Sequence, residues 1–120
     1  MFDPQRLADR YAALWNETDT ERRRAEIREL WTPSGEHYVN AREVRGYAAL
    51  EERVTGSHHK NVRDNGNRFR AVQDARALRD IVFFHWEMLP ADREEVTASG
   101  MIILRVDAEG RILVDYQFVF

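Results

Sequence analysis

Hydrophobic and polar positions in the first half of the chain recur at helical spacing. Leu7, Tyr11, Leu14 and Trp15 fall at i, i+4, i+7 and i+8 and make one apolar stripe. Asp3 stands where an N-cap belongs, and Pro4 occupies the first helical position, where its missing N–H costs nothing. Asn16-Glu17-Thr18-Asp19 breaks this helix, and Thr18 with Glu21 has the capping-box spacing that opens a second one, running to about Trp31. Its stripe is thin: Ile27, Leu30 and Trp31. Thr32-Pro33-Ser34-Gly35 stops it. Glu36–Asn40 reads as a short strand with Tyr38 and Asn40 on one face and His37 on the other, pointing out. Arg45-Gly46 then leads into a third helix, Tyr47 to about Lys60, whose apolar line is Tyr47, Leu50 and Val54.

Beyond the polar stretch Asn61–Asn67 the period falls from 3.6 to 2. Arg68–Asp74, Ile81–Leu89, Glu94–Val106 and Ile112–Phe120 read as four strands, joined by turns at Ala75–Asp80, Pro90–Arg93 and Asp107–Arg111. Helices first and an antiparallel meander afterwards predict an α+β fold, three N-terminal helices packed on one face of a curved antiparallel sheet.

Composition narrows the function classes. A chain of 120 residues is the size of one domain. Its 18 Lys+Arg against 21 Asp+Glu leave a net charge of −3, which gives no general attraction to nucleic acid or to an anionic membrane. Arg22-Arg23-Arg24 is nearly balanced by Glu21, Glu26 and Glu29 at salt-bridge spacing. With no cysteine, disulfides, thiolate catalysis and cysteine-ligated metals are excluded. Apolar stretches such as Ile81–Phe84 and Met101–Leu104 are far too short to span a membrane, and the opening residues carry no leader pattern. A cytoplasmic protein is expected.

The last strand has the most unusual pattern. Ile112, Val114, Tyr116, Phe118 and Phe120 form an apolar face, and Leu113, Asp115, Gln117 and Val119 form the other. Asp115 is either a surface acid or a carboxyl turned into a cavity beneath the helices. In the second case it loses solvation and needs hydrogen-bond partners or a proton, which is the condition of a general acid or base. Tyr11, Asn40 and Gln117 are candidate partners. Ile81–Leu89 also has no plain solvent face: Val82, Phe84, Trp86 and Met88 alternate with a mixed row that includes His85 and Glu87. Trp15, Trp31, Phe84 and Trp86 suit either a core or an apolar ligand site. His58 and His59, about 100° apart on a helix, do not converge on one ion; a helix C-terminus favours their charge. His85 and Glu87 share a face, without an evident third metal ligand.

Several strings in order carry a resemblance. They are Arg10-Tyr11-Ala-Ala-Leu14-Trp15-Asn-Glu-Thr-Asp19, Leu30-Trp31-Thr-Pro33, Tyr38-Val-Asn40, Val44-Arg-Gly46, Phe84-His-Trp86-Glu-Met88 and Asp107-Ala-Glu-Gly-Arg-Ile112. Together they resemble the SnoaL-like branch of the nuclear transport factor 2-like superfamily over essentially the whole chain. The resemblance implies a cone, a bent sheet wrapped over three helices around an apolar pocket. Its members include steroid isomerases, polyketide cyclases, limonene epoxide hydrolases and dehydratases. A convex sheet face that is often a dimer interface implies a homodimer.

Residue by residue, Tyr11 matches the oxyanion-hole tyrosine of the ketosteroid isomerases. Their catalytic aspartate falls on Asn40, which is no base, and their second oxyanion acid on Ile102. Tyr38 and Asn40 match the water-holding pair of the epoxide hydrolases, whose late aspartate falls on Gln117. The arginine and aspartate of their middle strand fall on His85 and Glu87. In the SnoaL-type cyclases the working acid is a late aspartate, for which Asp115 is nearest. The expectation is therefore a pocket for a small apolar molecule, needing no cofactor or metal. Asp115 would be the acid/base of an isomerisation, cyclisation or hydration, and Tyr11 and Asn40 would complete the catalytic set by positioning the substrate. Tyr38, Trp15, Trp31, Phe84, Trp86, Met88 and Gln117 would contact substrate. The alternatives are a non-catalytic binding or dimerisation module, and a metal enzyme using His85 and Glu87.

Overall fold

The computed structural model describes residues 2–120. Helix α1 (Pro4–Asn16) begins as its sequence predicts: the Asp3 carboxylate accepts hydrogen bonds from the backbone N–H groups of Gln5 and Arg6 at 3.0 and 3.3 Å. Its stripe of Leu7, Tyr11, Leu14 and Trp15 is buried. Helix α2 (Thr20–Leu30) is capped by Asp19 rather than Thr18, the carboxylate accepting from the Arg22 N–H at 3.0 Å. Arg10 ties the two helices together through Glu26 and Glu29. Of the arginine triplet, Arg23 is buried with Nη1 donating to the Glu17 carbonyl, and Arg24 meets Glu21 and Glu51.

Helix α2 passes directly into β1 (Trp31–Val39), which turns back at Asn40 and Ala41 into β2 (Arg42–Arg45). Strand β1 extends the strand predicted at residues 36–40 back to Trp31 and ends it at Val39, with Asn40 in the turn. The Thr32–Gly35 breaker signal is real, but it makes a bulge inside β1: Trp31 pairs with Ile112 and Glu36 with Val114. Gly35 is required there, since a Cβ would come within 2.6 Å of the Trp31 ring. Helix α3 (Gly46–Ser57) continues as a π-helical segment, His58–Asp64, through the polar stretch. Strands β3 (Asn67–Ala71), β4 (Arg76–Leu78), β5 (Ile81–Pro90), β6 (Ala98–Val106) and β7 (Ile112–Val119) complete the chain. β4 lies in what the sequence presents as a turn.

The seven strands form one curved, open sheet in the order β2-β1-β7-β6-β5-β3, with β4 also pairing β5. The α+β class and the three helices agree with the sequence. The sheet is mixed rather than wholly antiparallel, because β1 runs parallel to β7. That pairing joins the two halves of the chain, and the core lies between the helices and the inner sheet face, around Trp31, Phe84, Ile102 and Leu104. Among the described residues no helix is long and apolar enough to cross a membrane.

Candidate functional site

A cavity of about 430 Å³ lies between α1, α3, the π-helical segment and the inner face of β3, β5, β6 and β7. Its walls are apolar: Trp15 and Ala12 from α1, Phe69 from β3, Trp86 and Met88 from β5, and Ile102 from β6. Tyr11 and Gln117 add polar groups, and the exposed side chains of Asn40, Arg42 and Lys60 stand at its rim.

Behind Tyr11 runs a buried polar chain. Asp115 and His37 are both 0% exposed. The Tyr11 hydroxyl donates to Asp115 Oδ2 at 2.5 Å, and His37 Nδ1 lies 2.9 Å from the same oxygen. Arg53 Nε donates to His37 Nε2 at 3.3 Å. A guanidinium can only donate, so Nε2 accepts, and the neutral ring carries its proton on Nδ1, facing Asp115. The order is Arg53, His37, Asp115, Tyr11, with one formal cation and one formal anion. Asp115 Oδ1 and Gln117 Oε1 have no hydrogen-bond partner in the protein.

Tyr11, His37 and Arg53 are held by aromatic packing. The Tyr11 ring sits 5.6 to 5.9 Å from those of Trp15, Trp31 and Phe84. Trp15 packs on His37 at 5.7 Å, and the Arg53 guanidinium lies 5.1 Å over the Trp15 ring. Burial, then the charge of Asp115 and the hydrogen bond to it, hold the Tyr11 pKa well above the ordinary phenol value. Tyr11 is therefore a protonated donor to Asp115, with its oxygen lone pairs left for another group. Arg53 is pulled below the usual guanidinium range, first by burial and next by the charge of Arg42.

The candidates from the sequence separate into four sets. Asp115 does turn inward, yet it does not border the cavity; Tyr11 stands between them. Tyr11, Trp15, Trp86, Met88, Gln117 and Asn40 border the cavity. Asn40 does so from the β1–β2 turn, in the left-handed conformation (φ 52°) that asparagine tolerates, and not from a strand face shared with Tyr38. Trp31 and Phe84 are core residues that pack on Tyr11 rather than cavity walls. Tyr38 is on the opposite face of the sheet: between buried His37 and Val39, strand alternation sends it outward. There its ring stacks 5.6 Å from Tyr116, and its hydroxyl meets Glu36 and Arg45.

His37 is the converse correction, since it points in and bonds Asp115. Arg53 was not singled out by its sequence, although its place three residues after Leu50 and one before Val54 borders the buried line of α3. His85 and Glu87 are engaged with Asp74 and Arg70 on the outer side. Among the described residues no group of three or more His, Cys, Asp or Glu forms a potential metal cluster. His58 is buried with Nδ1 3.2 Å from the Trp15 carbonyl, near the C-terminus of α1.

Sequence and structure comparisons agree on the class. The SnoaL-like domain family matches residues 8–114, and the chain belongs to that family. No curated protein matches it. Among solved structures, a SnoaL-like family protein from Agrobacterium tumefaciens strain C58, provisionally named an isomerase, is 23% identical with a TM-score of 0.86, the match covering 98% of this chain and 97% of that one. An NTF2-like protein of unknown function from Exiguobacterium sp. 255-15 is 21% identical with a TM-score of 0.72, covering 95% and 98%. A provisionally named polyketide cyclase from Sinorhizobium meliloti is 10% identical with a TM-score of 0.70, covering 93% of each chain. At such identities the likeness establishes the fold alone.

Proposed function

We propose that this protein binds a small, largely apolar molecule in the cavity and moves a proton on it, in an isomerisation, cyclisation or hydration. The observation that carries this reading is the Tyr11–Asp115 pair, in which a buried carboxylate is linked to the cavity through one phenol. The step conserves electrons. A ligand C–H gives its proton to the Tyr11 oxygen as the phenol proton passes to Asp115, leaving an enolate; reversal delivers a proton to another atom of the same ligand. His37 and Arg53 hold the carboxylate in place and are positioning residues. Names given to structural relatives, an isomerase and a polyketide cyclase, are in keeping with such chemistry.

The test is deuterium exchange in D2O with a panel of small cyclic enones and β-keto esters. Wild type is expected to wash deuterium into at least one, and Tyr11→Phe and Asp115→Asn to lose most of that rate, roughly 10²-fold or more. A second reading, a non-catalytic binding module, is favoured by Asp115 standing behind the cavity wall. It predicts ligand binding with no exchange above that of the Asp115→Asn variant.

A second copy of the chain is the proposed partner of the convex sheet face, where Tyr116, Phe118 and Phe120 are 46%, 50% and 75% exposed. Sedimentation equilibrium is expected to give dimers for wild type and monomers for Phe118→Glu; a monomeric wild type would exclude this interface.

A further inference from the structure

Three cations border the cavity, and no Asp or Glu does: Arg42, Arg53 and Lys60. This occurs in a chain whose acids outnumber its bases, 21 to 18. Elsewhere among the described residues most arginines are matched with carboxylates, as Arg10 is with Glu26, Arg28 with Glu51, Arg70 with Glu87 and Arg105 with Asp80, although Arg6, Arg22, Arg23, Arg76, Arg79 and Arg111 are not. Among the described residues none of the three cavity cations has an ion-pair partner.

Arg53 is the most specific of them. Its Nε is spent on His37 and its flat face on Trp15. Both terminal nitrogens, which form the prongs that match the two oxygens of a carboxylate, have no hydrogen-bond partner in the protein. Arg42 adds like-charge repulsion that an anion between the two would relieve. Lys60 is the only lysine in the chain. It comes from the π-helical segment, whose wider turn presents Lys60 and Asn61 to the cavity beside Ser57.

We propose that the cavity takes an amphipathic carboxylate: an apolar body against Phe69, Trp86 and Met88, and a carboxylate on the Arg53 terminal nitrogens with Arg42 and Lys60 at the rim. This deepens the small-molecule reading above and rests on it. Charge and shape then act together, because the apolar walls select the body while the cations reject a neutral or cationic head.

The experiment compares straight-chain carboxylates, hexanoate to dodecanoate, with the matching primary amides by isothermal titration calorimetry. At least one carboxylate is expected to bind roughly tenfold or more tightly than its amide, with an advantage that shrinks as salt is raised. Arg42→Gln with Lys60→Gln alters exposed side chains and should cut that advantage several-fold, while Lys60→Arg keeps it. Adding Arg53→Gln should abolish it. Amides binding as well as carboxylates, or an advantage that survives loss of all three cations, would overturn the carboxylate assignment and leave the cavity reading standing. Binding by neither series would overturn both.

Discussion

Asp115 is a carboxyl group with no solvent exposure. A carboxylate with no solvent exposure is destabilising by several kcal/mol unless its oxygens are bonded. Here Tyr11 and His37 both converge on Oδ2, and Oδ1 is left without a partner. An apolar side chain could fill the same space without leaving a buried oxygen unpaired. His37→Ala removes one of the two donors and deprives Arg53 of its acceptor. It is expected to lower unfolding free energy by about 3 kcal/mol, measured by urea denaturation. Asp115→Asn alone should cost less, and the double variant should fall short of the sum, because the two residues act as one unit. Strict additivity would show that they do not.

Among the elements, β7 and β1 explain which parts of the site were legible in sequence. Strand alternation puts Asp115 and Gln117 on one face, and the structure makes that face the inner one. The same alternation puts Ile112 on the outer side, yet Ile112 is buried in the core. The reason is a bulge: Ile112 pairs with Val106 and Val114 with Arg105, so Leu113 is an extra residue and the phase resets before Asp115. His37 was misplaced for a different reason. A short strand of mixed polarity is equally consistent with either face, and what decides it is the parallel register that sets His37 beside Asp115. No local signal encodes that pairing. Arg53 was missed because an arginine next to an apolar stripe usually runs out to solvent; its stacking on Trp15 is a tertiary fact. The start of α1 and the strands β5 to β7 were legible because capping, alternation and turn chemistry are local. A close approach such as Gly100 was not: a Cβ there would collide with the Phe118 carbonyl and the Trp86 indole across the sheet.

For the molecule as a whole, the topology is what assembles the site. Tyr11 and Asp115 are 104 positions apart in sequence and His37 and Asp115 78, and they meet because β7 is inserted between β1 and β6. The helices close the inner face of the sheet over the cavity, so His37 and Asp115 are solvent-free while Tyr11 and Arg53, at the two ends of the chain, still reach the ligand space. This arrangement also fixes a pH dependence. The Tyr11 phenol is held above its ordinary pKa by burial and then by Asp115. The stability this gives is fully present below the unfolded tyrosine value of about 10 and is lost as pH rises through the higher folded value.

The direct measurement is a pH titration of the Tyr11 ring carbon by NMR on tyrosine-labelled protein, in wild type and in Asp115→Asn. The account predicts that Tyr11 stays a phenol past pH values of about 10, where free tyrosine ionises, and that its transition moves down when the carboxylate is replaced. A Tyr11 transition at the free value, or one that Asp115→Asn leaves in place, would contradict it.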